Sequence, residues 1–91
     1  MHSILQDEKR CFITGSELNL HEHHVYEGRN RRVSEQYGFK VWLRADWHNM
    51  ADYGVHFNKP LDLYLKRTCQ AKFEETHTRA EFMAIIGKNY L

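Results

Sequence analysis

The sequence predicts a small α+β domain, with short strands in its first half and two helices in its last third. The chain has 91 residues, which is enough for one modest core. Residues 39–43 combine alternation with β-branched and aromatic side chains, as half-buried strands do. Residues 59–75 and 78–87 instead place apolar side chains at helical spacing. This change of period is what predicts strands followed by helices.

The N-terminal part of the chain shows little periodicity. Residues 1–10 are polar, and we expect them to form a loose arm in front of a single domain over residues 11–91. Residues 11–15 read as an apolar pair followed by a tight turn that a glycine closes. Residues 18–26 alternate in part, which favours a first short strand.

The middle of the chain predicts a basic loop, a short helix and the second strand. Residues 27–32 form the basic loop, and residues 33–38 could hold one helical turn that Gly38 ends. The alternating strand at 39–43 follows. The period then changes, and residues 46–52 predict a further short helix that stops near Gly54.

The first C-terminal helix has clear local signals. Asn58 is a suitable N-cap, and proline is well tolerated at the first turn that Lys59 and Pro60 would form. We expect this helix to run to about Glu75. Its apolar stripe consists of Leu61, Leu65, Cys69 and Phe73.

The second C-terminal helix begins with a capping box. Thr78 would cap the helix and Glu81 would reach back to it, while Gly87 would end the helix. The side chains expected to face the core are Phe82, Ile85 and Ile86. Both C-terminal helices are interpreted as scaffold for the region that precedes them.

Composition limits the function classes. The net charge is only +1, so a nucleic-acid partner would need a local basic patch. No apolar run could span a bilayer, and the first ten residues lack the apolar stretch of a signal peptide. We therefore expect a cytoplasmic protein with no membrane partner. Cys11 and Cys69 are predicted to be reduced, although a disulfide between them stays open.

Histidines are concentrated in three short segments. Residues 20–25, 47–49 and 55–57 hold five of the seven histidines. Imidazole is both a common ligand of transition metals and a natural base near neutral pH. Neighbours on a strand face opposite sides, so His23 and His24 could divide these two tasks. His21 could be a further ligand or substrate contact, but an exposed polar residue is the simpler interpretation.

These segments resemble the HNH endonucleases, particularly the small HNH proteins of phages and prophages. The resemblance spans residues 11–91. It rests on LHEHHV at 20–25, GRNRRVSEQYG at 28–38, WL at 42–43, WHN at 47–49, VHFN at 55–58 and the tail from residue 73. It implies a small ββα-metal (HNH-like) core with two additional C-terminal helices. The implied activity is metal-dependent hydrolysis of DNA phosphodiester bonds with low sequence specificity.

The resemblance also implies roles for single residues. His23 matches a metal-ligand position, and His24 matches the general base that activates water. His48 matches the closing histidine of the HNH name, as a ligand or close to one, and His56 is a further ligand. The family uses one divalent ion, such as Mg²⁺, Mn²⁺, Ni²⁺ or Zn²⁺.

The chain departs from the family in two places. The family's structural zinc needs two knuckles, but Thr14 stands where Cys11 would have its partner, and the second knuckle would fall at Arg44 and Trp47. A tetrahedral zinc site needs four N or S ligands, so we expect no structural zinc. The middle asparagine of the HNH name has no counterpart in residues 38–40. The alternative function is therefore a catalytically impaired HNH-fold protein that acts as a DNA- or protein-binding regulator or inhibitor.

The basic loop is the predicted DNA contact. Arg29, Arg31 and Arg32 follow the histidine pair closely, and Lys40 and Arg44 lie on or near the next strand. Arginine suits phosphate because its planar fork donates two parallel hydrogen bonds. The competing interpretation is a solvated loop. A metal-binding module without a nucleic-acid role is a third, less favoured function. A double-strand break would need two sites, so a homodimer or a phage protein partner stays open.

Overall fold

The computed structural model describes all 91 residues and has the predicted α+β class. A two-stranded antiparallel sheet is joined by single helical turns to helices that follow and cover it. The elements are β1 (Leu20–His24), α1 (Arg31–Tyr37), β2 (Lys40–Arg44), α2 (Lys59–Phe73) and α3 (Arg79–Ile86). None of these helices combines the length and the apolar content that crossing a membrane requires.

The sheet register sets where the histidine pair lies. His23 lies opposite Val41, and His24 lies opposite Lys40. The pairing continues for one step beyond β1, where the Val25 N–H donates to the Phe39 carbonyl oxygen at 2.9 Å. Side chains alternate across the sheet, so the two histidines start on opposite faces.

Helix α1 corrects the prediction of a basic loop over residues 27–32. Arg31 and Arg32 form the first turn of α1, and only Gly28–Asn30 remains as a single 3₁₀ turn. The Ser34 hydroxyl donates to the Tyr26 carbonyl oxygen at 2.7 Å and accepts from the Tyr26 N–H at 3.2 Å. These bonds hold α1 against the end of β1. Because they join residues eight apart, no local pattern predicts them.

The two C-terminal helices begin and end close to the predicted residues. The Asn58 side chain accepts from the Leu61 N–H at 3.1 Å, so it caps α2 as predicted. Helix α2 ends at Phe73, two residues before the predicted end. The capping box of Thr78 and Glu81 is present at the start of α3. These caps are local, and the sequence alone identifies them.

The core lies between the inner face of the sheet and the last two helices. The stripe on α2 is confirmed: Leu65, Cys69 and Phe73 are buried, and Leu61 packs against them. From α3, Phe82 and Ile86 are buried, and Ile85 is partly buried. The buried aromatic side chains of the core are Tyr26, Phe39, Phe73 and Phe82. Cys11 and Cys69 are both buried and not bonded to each other.

The N-terminal segment is docked, which corrects the prediction of a loose arm. It covers the edge of β2 that does not pair with β1. The Ser3 hydroxyl donates to the Lys40 carbonyl oxygen at 2.5 Å, and the Gln6 side chain accepts from the Trp42 N–H at 2.7 Å. Ile4 and Leu5 also pack against the core. Polar hydrogen bonds to a strand edge leave no periodic pattern, so the sequence did not reveal this docking.

Candidate metal centre

Three imidazoles from three separate elements meet at one end of the sheet. His23 comes from β1, His48 from a π-helical turn at Asp46–Met50, and His56 from a 3₁₀ turn at Val55–Phe57. One ring nitrogen of each lies within 4.8 Å of the other two. The Nε2 atoms of His48 and His56 are 3.0 Å apart. Two ligands of one tetrahedral ion lie about 3.3 Å apart, so this cluster could hold a cation after small side-chain movements.

Gly54 lets the two helical turns approach each other. A Cβ atom at this position would lie 2.8 Å from the carbonyl oxygens of both Asp46 and His48. Any larger residue would push the turn that carries His56 away from the turn that carries His48. The sequence prediction of a helix over 46–52 was partly right, because the observed turn is wider and ends at Met50.

His23 is the buried member of the cluster. Its side chain is 1% exposed, and its Nε2 atom has no hydrogen-bond partner. A buried polar atom without a partner lowers the stability of the fold by about 1–3 kcal/mol, so this nitrogen is expected to have a partner in the functional protein. A bound cation at this nitrogen would provide one. The donor set and the unpartnered nitrogen therefore both fit a metal.

Two imidazoles of the cluster, those of His23 and His48, are neutral at physiological pH. Burial, together with the smaller effect of the neighbouring imidazoles, lowers the pKa of His23 to about 3 and the pKa of His48 to about 4. Neutral imidazoles have a lone pair available for a cation at physiological pH.

The metal-free protein should lose stability as the pH falls below 6.5. The unfolded chain protonates His23 near its ordinary pKa of 6.5, whereas the folded chain does not until about 3. Acid therefore favours unfolding, with a slope approaching about 1.4 kcal/mol per pH unit from this group. Urea unfolding in EDTA at pH 6.5 and 5 would measure the slope. An unchanged slope in the His23→Leu variant would contradict this assignment.

His21 supports His48 and is not simply an exposed polar residue. The Nδ1 atoms of the two rings are 2.9 Å apart, so one ring donates a hydrogen bond to the other. If the proton of the His48 ring is on Nδ1, its Nε2 atom, which faces His56, has a free lone pair and can act as a ligand. Hydrogen bonds of this kind orient metal-binding histidines.

His24 lies beside a chain of charged groups. Its side chain is 13% exposed, and its Nε2 atom is 3.5 Å from Oε1 of Glu35. Glu35 also accepts a hydrogen bond from Lys40, which donates to Glu22 at 2.7 Å as well. Burial alone would lower the pKa of Lys40, but its bonds to Glu22 and Glu35 outweigh that effect and raise it. The bond from Lys40 lowers the pKa of Glu35.

The predicted site residues line two adjoining pockets. The first, of about 310 Å³, contains all four predicted site histidines together with Arg31. The second, of about 450 Å³, is lined by Glu35, His24 and the predicted arginines Arg29, Arg31 and Arg32. The structure thus brings every predicted site residue to one side of the molecule, with His24 and Arg31 shared by both pockets.

Two predicted basic residues do not join this surface. Lys40 is buried between Glu22 and Glu35, and Arg44 forms an ion pair with Asp46 at 2.7 Å. Their charges are already neutralised, so they are poor contacts for phosphate. The sheet register places Lys40 beside its carboxylate partners, which a reading of charge along the chain cannot show.

Three carboxylates of the site, those of Glu22, Glu27 and Glu35, were not predicted from the sequence. Glu35 contacts His24, and Glu27 lies 3.8 Å from both His23 and His56. The available signal was the spacing of four residues between His23 and Glu27, but that spacing indicates proximity only on a helix. Comparison of the chain with protein-family models, curated proteins and solved structures found no match.

Proposed function

We propose that this protein is a metal-dependent endonuclease of the HNH type that hydrolyses DNA phosphodiester bonds with little sequence preference. The strands β1 and β2 and the following turn would form the ββα-metal core. One observation carries the proposal: a cluster of three imidazoles, including a buried unpartnered nitrogen, shares a pocket with His24 and Arg31.

His23, His48 and His56 would hold one divalent ion. Such an ion supplies Lewis-acid stabilisation for the charge that develops on the phosphate and the leaving oxygen. The three histidines come from three different elements, so the folded chain, and not a local motif, places them together.

His24 would act as the general base. Its Nε2 atom faces the Glu35 carboxylate, and this favours a proton on Nε2 and a lone pair on Nδ1. His24 would then accept a proton from the attacking water at Nδ1. Glu35 would stabilise the imidazolium that results, and Lys40 would hold Glu35 in place.

Arg29, Arg31 and Arg32 would bind the phosphates on either side of the scissile bond. All three side chains are exposed and line the pocket that adjoins His24. Contacts to phosphate position the duplex but read no sequence. This supports low sequence specificity and an affinity that falls as the salt concentration rises.

Plasmid nicking by the purified protein tests the proposal. We expect supercoiled DNA to become open-circular with Mn²⁺, Ni²⁺, Zn²⁺ or Mg²⁺, and to stay supercoiled with EDTA. Folded protein that cuts with none of these ions would contradict the nuclease function.

The alternative is a protein of the same fold that binds DNA or another protein without cutting. One observation favours it: buried Lys40 occupies the segment where the family carries its asparagine. DNA binding that persists without metal and without cutting, measured by fluorescence anisotropy, would support this alternative.

A further inference from the structure

We propose that Glu27 is a fourth protein ligand of the cation that His23, His48 and His56 hold. This inference rests on the proposed metal site and adds a carboxylate that the resemblance does not supply. It would make the ligand set three imidazoles and one carboxylate.

The Glu27 carboxylate lies between two of the three imidazoles. Its Oε1 atom is 3.8 Å from Nε2 of His23, and its Oε2 atom is 3.8 Å from Nδ1 of His56. These distances are too long for hydrogen bonds. Two ligand atoms that share one ion at bond lengths of about 2.1 Å can be at most about 4.2 Å apart. Oε1 of Glu27 and Nε2 of His23 therefore fit a common ion. As placed, the Glu27 carboxylate groups with His23 and Asp62, and rotation of its side chain would bring it to the ion that His48 and His56 also bind.

The His23 nitrogen that faces Glu27 is the buried atom without a hydrogen-bond partner. A cation between the two atoms would satisfy both of them.

Glu27 is also the carboxylate of this region whose charge no lysine or arginine neutralises. Glu22 and Glu35 both bind Lys40, and Asp62 binds Lys66 at 2.8 Å. The basic side chains within 4.0 Å of the Glu27 carboxylate are those of His23 and His56 alone. Three neutral imidazoles bring no negative charge to a divalent ion, and Glu27 would supply one.

Glu27 lies where the chain leaves β1 and approaches the turn at Gly28–Asn30. Glu27 follows β1 in an extended conformation, and Gly28 then adopts a φ of +60°. Glycine reaches this left-handed region at little cost. The Glu27 side chain lies beside His23, four residues earlier in the chain.

This ligand set indicates a class of metal. Imidazole nitrogens favour Ni²⁺ and Zn²⁺, whereas Mg²⁺ prefers oxygen ligands and keeps several waters. We therefore expect Ni²⁺ and Zn²⁺ to bind more tightly than Mg²⁺.

Metal titration of the full chain tests the role of Glu27 without an activity assay. Isothermal titration calorimetry with Ni²⁺ would compare the wild type, Glu27→Gln and Asp62→Asn. Asp62 is the matched control, because its carboxylate lies near His23 and Glu27 but is bound by Lys66. We expect Glu27→Gln to weaken Ni²⁺ binding by roughly 100-fold or more, above the range of about 10- to 100-fold typical of outer-shell partners. Asp62→Asn should change it by less than about threefold.

The visible absorption spectrum of the Co²⁺-loaded protein gives a second readout, because it depends on the number and type of ligands. A changed spectrum in Glu27→Gln supports the proposal. Weaker binding by Glu27→Gln with an unchanged spectrum would place Glu27 outside the ligand shell and overturn the proposal. A Ni²⁺ affinity of Glu27→Gln equal to that of Asp62→Asn would also overturn the proposal. Glu27 is exposed, and thermal unfolding would verify that each variant is folded. A wild-type protein that binds none of Ni²⁺, Zn²⁺ and Mn²⁺ would instead contradict the metal site itself.

Discussion

Replacing His24 with alanine is expected to lower the rate of plasmid nicking by about 10²- to 10⁴-fold, the usual contribution of a general base. The affinity for Ni²⁺ should stay close to that of the wild type, because His24 faces Glu35 and is not in the three-imidazole cluster. This combination separates a base from a ligand. A His23→Ala variant should lose both cutting and metal binding.

His77→Ala is the matched control for the His24 variant. His77 is exposed, and its ring stacks on Phe73, outside both site pockets. This variant should cut at the wild-type rate. If His24→Ala cuts within tenfold of the wild type while it remains folded, His24 is not the base.

Truncating Phe82 to alanine is expected to lower the free energy of unfolding by about 3–5 kcal/mol. Phe82 is fully buried and lies against Tyr26, Phe39 and Phe73, with ring centroids 5.5, 6.2 and 5.9 Å away. Helix α3 would lose its main anchor to the core. A domain of this size has only about 5–15 kcal/mol of stability, so a large part of it would be lost.

Met83→Ala is the control on the same helix. Met83 is 39% exposed and lies outside the core, so its truncation should cost clearly less than that of Phe82. Urea unfolding of both variants would measure the difference. A loss below about 1 kcal/mol in Phe82→Ala would show that α3 is not part of the cooperative core.

Features that depend on neighbours in sequence were predictable. The caps of α2 and α3, at Asn58 and Thr78, use side chains within three residues of the backbone groups that they bind. The stripe on α2 follows from helical spacing alone. The strand at 39–43 was found within one residue of its observed limits.

Features that depend on tertiary contacts were not predictable in the same way. The start of α1 at Arg31 depends on Ser34 and Tyr26, which meet only when the helix folds back onto β1. Lys40 looked like a free cation in sequence, but the sheet register places it next to Glu22. For the candidate site, the sequence predicted which histidines to consider. Their common position depends on the close approach of the chain at Gly54.

The N-terminal segment also affects how copies of the chain behave toward one another. An uncovered strand edge is a template on which another polypeptide can add a strand, and this is a common start of aggregation. Here the Lys40 carbonyl and the Trp42 N–H are taken by Ser3 and Gln6, and the Trp42 carbonyl accepts from the Phe12 N–H at 2.8 Å. Detachment of this segment would expose a short row of unpaired groups beside apolar side chains. The polar residues at the start of the chain therefore act as a cover that keeps a two-stranded sheet from growing.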